Sequence, residues 1–266
     1  MPLAKRRQWV YVDESIHDAL GFIVTTFVFS NSNLSEPVAA ALGEAGVVPG
    51  RDEFKSSVRM ANSPQMRDLR DLVLAIATSS TKIAVLVTPA RRRKVLGCDV
   101  LSTLATIIET NKVQADDVEV YFDQGLISPS NETPEIVDRL QANRRCELVA
   151  DQDSRVVFGL QAADVVAHSV AQVLREELGN LRKNVPLGPE QGYDEGTDAS
   201  LGWTLRMTLR RNFFVGPVVV EKGQDPVDAL NAELLGWGVF VSDGVADGVR
   251  TAVQRVFGTL WLGCIH

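Results

Sequence analysis

Two segments run apolar and then stop on an aspartate: Gln8-Trp9-Val10-Tyr11-Val12-Asp13-Glu14-Ser15 and Val118-Glu119-Val120-Tyr121-Phe122-Asp123-Gln124-Gly125. β-Branched and aromatic residues suit a pleated sheet and aspartate does not, so each reads as a strand ended by a carboxylate. In an open α/β sheet, chemistry gathers in the crevice beyond the carboxyl ends of the strands. A third carboxylate, Asp164, sits in Phe158-Gly159-Leu160-Gln161-Ala162-Ala163-Asp164-Val165-Val166-Ala167-His168. At about 100° per residue, Leu160, Ala163, Ala167, Val170, Ala171 and Leu174 share one helical stripe, and Asp164 falls inside it. A carboxylate there is costly unless it is paired, hydrogen-bonded or bound to a cation. The bland alternative is an Asp164 that leans to the helix edge and meets an arginine or a backbone amide.

Asp13, Asp123 and Asp164 together suit a hard divalent cation. Magnesium and manganese take oxygen ligands, and magnesium is often held by only a few carboxylates, leaving positions for water and a substrate phosphate. Two such ions about 4 Å apart would activate water and stabilise the leaving oxygen of a phosphodiester. Glu53 is the better-placed fourth carboxylate, because Glu14 points to the opposite face from Asp13 if the strand continues. Lys55 can meet a phosphate or balance the excess negative charge. Glu53-Phe54-Lys55 reads equally well as a plain surface loop. His17, His168 and His266 have no metal-ligand spacing and read as structural or exposed. Ser15 and Ser154 belong to no nucleophile elbow, since no G-x-S-x-G is present. No phosphate-binding glycine loop or dinucleotide fingerprint occurs either.

The elements that must position these groups follow from periodicity. Leu20 to Phe29 is a long second strand, joined to the first by a turn at Ile16-His17-Asp18-Ala19. So short a link allows only an antiparallel hairpin. Ser35 offers a cap for a helix over 36–45. Ser63-Pro64 begins another helix that runs to Thr78. A strand over 81–88, a helix over 91–111 and the Asp123 strand follow. A helix starts at Thr133-Pro134 and runs to Asn143, a strand covers 146–150 and a strong helix spans 157–178. Alternating strands and helices after the hairpin predict right-handed crossovers and a mostly parallel α/β sheet.

From Asn180 the texture becomes rich in glycine and proline. A helix over 201–211, a strand over 213–221 and a helix over 226–235 are expected there. The division is therefore 1–181 as the sheet domain and 182–266 as an α+β appendage packed on it. Trp203, Trp237 and Trp261 read as core residues rather than platforms for stacking bases.

Composition bounds the rest. The chain has 266 residues, 45% hydrophobic and 23% charged, with a net charge of −7. That balance offers nucleic acid no overall attraction, so such a partner would need a local basic patch. Lys5-Arg6-Arg7, Arg91-Arg92-Arg93-Lys94, Arg144-Arg145 and Arg210-Arg211 are the candidates, each also readable as a solvated face. Cys98, Cys146 and Cys264 are far apart and odd in number, which suits reduced thiols in the cytoplasm. No apolar run reaches the roughly 20 residues that span a bilayer, and no signal peptide is expected.

Tyr11-Val12-Asp13-Glu14-Ser15 with its hairpin, Glu53-Phe54-Lys55, Tyr121-Phe122-Asp123 and Gly159-Leu160-Gln161-Ala162-Ala163-Asp164 resemble, in that order, the bacterial and phage family called domain of unknown function 3800. The resemblance covers residues 8–178. It implies a ribonuclease H-like fold, a mixed sheet with helices on both faces, whose nucleases place acids on the first strand, the fourth strand and a late helix. The chain departs from the family at Ile16, where glycine is usual, so its turn is expected to differ. The family has no settled activity. Two functions are therefore expected of this site: a magnesium- or manganese-dependent nuclease, or a non-catalytic ribonuclease H-like module that binds nucleic acid or a protein partner in a phage-related or defence system.

Overall fold

The computed structural model describes residues 6–56, 63–127, 134–142, 145–189, 192–218 and 231–261. Ser57, Cys264, His266 and the first half of the expected helix over 226–235 lie outside them. Strand β1 (Arg7–His17) pairs antiparallel with β2 (Phe22–Ser30), in a register that sets Asp13 opposite Thr26 and His17 opposite Phe22. The hairpin turns through a short 3-10 segment at Asp18–Leu20 and closes on Gly21 at φ 76°, a left-handed conformation open to glycine. Ile16 is thus inside the strand, and the turn begins two residues later than the sequence suggests. The reason is burial: Ile16 packs against the core cluster beneath that face.

The chain next forms α1 (Ser35–Glu44) and α2 (Pro64–Thr78), then β3 (Thr81–Pro89), antiparallel to β2. Ser63 caps α2 by accepting from Met66 N at 3.3 Å, with Pro64 at the first turn as expected. Ser35 does not cap α1; its hydroxyl is turned instead toward a later helix. The helix expected from Arg91 begins as a 3-10 turn over Ala90–Val95 and becomes α only at α3 (Leu96–Thr110). Such a tight lead-in is common at helix N-termini.

Strand β4 (Asp117–Asp123) runs parallel to β1, followed by α4 (Pro134–Ala142), β5 (Arg145–Gln152) parallel to β4, and α5 (Gly159–Glu177). Later come β6 (Asn184–Leu187), β7 (Thr197–Ser200), α6 (Leu201–Leu209), β8 (Asn231–Glu233), β9 (Val239–Val241), α7 (Asp247–Phe257) and β10 (Thr259–Trp261). The central sheet has the order β5-β4-β1-β2-β3-β9, with only β2 running against the rest.

Alternation along β1 divides the core in two. Val10 and Val12 join the layer beneath α3 and α4, whereas Tyr11 joins the layer beneath α1, α2 and α5. The fold class is accordingly α/β, a mixed sheet with helices on both faces, the architecture the sequence leads one to expect.

Residues beyond 182 extend this architecture. Strand β9 adds to the outer edge of β3, and Ile83 is bracketed by Asn212 O and Phe214 N at 2.7 and 3.1 Å. Phe213, Leu234, Val253 and Phe257 share the core layer of α5. Residues 231–233 are strand, not the helix expected there, because they pair with β10. After the bridge at Phe213, the expected strand is not formed over 214–218. Trp203, Trp237 and Trp261 are half-buried and not core; Arg210 lies over the Trp261 ring, a polar contact for an amphipathic side chain.

The seam that matters for the site is α5 against β1. Tyr11 stacks on Tyr121 at 5.7 Å between ring centres, donates to Asn33 Oδ1 at 2.8 Å and accepts from Leu34 N at 3.2 Å. Gly159 N in turn donates to Ser35 Oγ at 3.3 Å. A side chain at 159 would fall inside the Tyr11 ring. Gly159→Ala is therefore expected to destabilise the protein by about 1–3 kcal/mol through overpacking, read as a lower urea midpoint at unchanged slope. An unchanged midpoint would show that the seam has slack.

Candidate functional site

Asp13, within β1, and Asp123, at the end of β4, face the same side of the sheet, toward α5; β1 does not stop at Asp13 as the sequence suggests, because its pairing with β2 runs on to His17. Asp13 follows the parity of Tyr11, and Asp123 that of Tyr121. Helix α5 supplies Asp164. Its small residues allow a close approach, which Thr26 fixes by donating to Ala163 O at 3.0 Å from a fully buried position. Thr26 is also the cross-strand partner of Asp13, so one hydroxyl ties the two carboxylate-bearing elements together.

Asp164 does lean to the helix edge, and it is hydrogen-bonded there. Ser56 donates to it twice, from its backbone amide and its hydroxyl, both at 2.9 Å and each to a different carboxylate oxygen. The Glu53-Phe54-Lys55 segment is thereby drawn to the site. Phe54 is buried in the core, while Lys55 contacts Glu53 at 2.6 Å and Ser154 donates to the same glutamate oxygen at 2.6 Å. Gln161 on α5 holds Ser154 in turn, donating to its carbonyl at 2.8 Å.

Electrostatics show how closely these groups are gathered. Burial, and then Asp164, Asp123 and Glu14, push the Asp13 carboxyl well above the usual carboxylate range. Burial likewise raises Asp123 and Asp164, with Glu53 adding to both and Lys55 opposing both. Lys55 is partly desolvated, yet Glu53, Asp123 and Asp13 keep it more basic than usual. Three half-buried or buried carboxylates thus share one cation of their own.

Their chemistry is that of a hard-cation site: oxygen donors only, negative in excess, and desolvated. The arrangement does not enclose an ion as it stands. Among the described residues no group of three His, Cys, Asp or Glu side chains is placed to hold a metal, and Ser56 occupies both oxygens of Asp164. The donor set fits Mg2+ or Mn2+ in kind, and Ser56 is the contact that a bound ion would have to displace or share.

Glu14 lies on the opposite face of β1, paired across the strands with Thr25. It is mostly buried with one oxygen unpartnered, and its pKa is raised to about 7 by burial and by Asp123, against Arg93 and Lys55. His168 and His17 are half-buried and kept neutral by desolvation, His168 with a pKa of about 4. Lys55 reaches the acidic cluster, whereas the basic turn at Arg91–Lys94 comes near only through Arg93, beside Glu14.

Sequence reasoning singled out Asp13, Glu53, Lys55, Asp123 and Asp164, and the structure brings all five into one neighbourhood. It did not find Ser56, Thr26 or Gln161, and it set Ser154 aside as part of no nucleophile elbow without finding its contact with Glu53. The available signal for Thr26 was a threonine in a strand buried along its whole length. For Ser56 and Ser154 nothing local distinguished them from loop serines.

No family model matches the chain, and no curated protein does. Among solved structures it is similar to the ribonuclease H2 from Pyrococcus horikoshii OT3, at 11% identity and a TM-score of 0.39, over 94% of this chain and 98% of that one. So distant a likeness says nothing of the site, which rests on this chain's own residues. No helix among the described residues is long and apolar enough to cross a membrane.

The pKa of Glu14 gives a direct check. Its folded value of about 7 exceeds the ordinary 4.5, so the folded state binds this proton more tightly than the unfolded chain does. Stability must then fall as pH rises from about 4.5 to about 7 and stay reduced above, by on the order of 3 kcal/mol if the group is fully desolvated. Glu14→Gln should flatten that decline in chemical unfolding followed from pH 4.5 to 8, and be the more stable protein at pH 8. Parallel curves would contradict the burial of this carboxylate.

Proposed function

We propose that the protein is a divalent-metal-dependent phosphodiesterase that hydrolyses nucleic acid, with Asp13, Asp123 and Asp164 as metal ligands. The observation that carries this reading is the gathering of three desolvated carboxylates from β1, β4 and α5 on one face of the sheet, with Lys55 as their nearby cation. Like charges held together out of water are costly, and a divalent cation is what relieves that cost. The bound metal would supply Lewis acidity toward a phosphate oxygen and a hydroxide at neutral pH. Lys55 contacts the scissile phosphate, a compact charge suited to a single oxygen. Glu53, fixed by Ser154, stands as the fourth acid beside it. The ordered motifs that resemble the domain of unknown function 3800 family support membership of that family, and a cytoplasmic setting suits the nucleic acid substrate.

The second reading, a ribonuclease H-like module that binds nucleic acid or a protein partner without cutting, has its own support. Both oxygens of Asp164 are already satisfied by Ser56, as in a purely structural carboxylate.

Incubation with single- and double-stranded DNA and RNA, with and without Mg2+ or Mn2+, separates the two. Metal-dependent cleavage is expected, cut by roughly a hundredfold or more in Asp13→Asn and Asp123→Asn, and by about tenfold in Ser56→Ala, which loses a partner of a ligand. Metal should also raise the melting temperature of the wild type and not of Asp13→Asn. Cleavage that survives chelation or Asp13→Asn would sink the metal-nuclease reading, and absence of any metal effect favours the binding module.

A further inference from the structure

Asp164 is not the last partly exposed group along α5. From Gly159 to Leu174 every residue of α5 is buried except Asp164 and His168, which lie one helical turn apart. Further along the same helix His168 meets Gln172, Nε2 to Nε2 at 2.9 Å, and Gln172 Oε1 accepts from Arg175 at 3.2 Å. On the facing strand Ser15 and His17 share Asp13's side of β1, with the hydroxyl 3.1 Å from the His17 ring. His17 is held by the Phe22 ring at 5.1 Å. Helix α2, which packs against α5, carries Arg70, half-buried and bonded to the exposed Asp71.

We propose that this strip, from Ser15 and His17 across His168 to Arg175 and Arg70, with the buried Gln172 holding His168 and Arg175 from beneath, is a track that binds the phosphodiester backbone of a nucleic acid strand one or more nucleotides away from the acidic cluster. The inference rests on the phosphodiesterase reading for its direction, and deepens it by assigning the path of the strand.

Chemistry along the strip changes sign in the way a strand would need. At the acids a phosphate can be held only through a cation. Beyond them the groups are neutral hydrogen-bonding side chains, then guanidinium groups. As placed, the Gln172 amide donates to His168 Nε2, so the neutral ring carries its proton on Nδ1 as a donor. Arg175, among the described residues, is bonded to an amide oxygen and not to a carboxylate. Its charge is felt on the track itself: after desolvation, Arg175 depresses His17, and Arg70, His17 and Arg175 together depress His168. Guanidinium groups are the usual choice for phosphate because their planar forks match its oxygens. A solvated arginine at a helix surface commonly finds a neighbouring carboxylate, as Arg255 of α7 does with Glu177 of α5 and as Arg70 does with the exposed Asp71; Arg175 is held by an amide instead.

Fluorescence anisotropy on the full chain tests this without requiring catalysis. The probes are a short and a long single-stranded oligonucleotide, about 4 and about 16 nucleotides, as DNA and as RNA, in chelator and again in calcium. Arg175→Gln and Arg70→Gln are each expected to weaken the long probe fivefold or more, to leave the short one within twofold, and to make the salt dependence shallower by about 0.7 in log–log slope. His168→Ala should weaken it less and leave the slope unchanged. Lys82→Gln, at the far end of β3, is the control and should match the wild type. Melting temperatures within a few degrees of the wild type confirm folding, and the two arginines sit on different helices, so one variant remains if the other fails. Equal affinity of wild type, Arg175→Gln and Arg70→Gln for the long probe overturns the track, as does failure of the wild type to bind either probe. Binding that depends on the arginines in a protein that never cleaves would overturn the nuclease reading and leave the track standing.

Discussion

Everything in this molecule that bears on function depends on how close α5 comes to β1. Two devices set that distance: Gly159, which leaves room for the Tyr11 ring, and Thr26, whose hydroxyl reaches the Ala163 carbonyl. The same approach that buries Leu160, Ala163 and Ala167 also brings Asp164 to Asp13 and Asp123. Apolar burial and electrostatic cost are therefore coupled. The helix cannot gain its contacts on the sheet without bringing like charges together, and the site exists because the apolar term is the larger one.

Much of the fold and of the candidate site was legible before any coordinates. The two strand aspartates are visible because aspartate is so poorly suited to a pleated interior, although only β4 ends on its aspartate and β1 runs on past Asp13. Asp164 is visible because a charge interrupts a 3.6-residue apolar stripe. The hairpin followed from a link too short for a crossover. What escaped was long-range. Ser56 and Asp164 are 108 positions apart, and Ser154 and Glu53 101, so no local pattern joins them. The error at Ile16 has the same origin: a turn was read where tertiary packing had already committed a β-branched side chain to the core. The C-terminal third was read least well because its strands are only three or four residues long, too short for any period to show.

The two faces of β1 divide labour. On one, Asp13, Ser15 and His17 look toward α5. On the other, Glu14 is folded under with Thr25, near Arg93. Adjacent carboxylates in one sequence motif thus differ in role through the strand's two-residue alternation alone. The motif read as a unit would have assigned both to the same chemistry; read by parity, it assigns only Asp13.

Strand β9 has a consequence for how the chain is made. The outer edge of β3 presents unpaired backbone groups from the moment the hairpin and β3 have formed, and its partners are Asn212, Phe214, Gly238 and Val239–Val241. During synthesis the carboxylate-bearing strands and α5 are complete well before those partners leave the ribosome. For that interval the nascent protein carries its acids together beside an open, apolar sheet edge, the surface most prone to pairing with another chain. Translation of residues 212–241 is then the step that closes the sheet, and the vulnerable species is an intermediate with its site assembled and its edge bare.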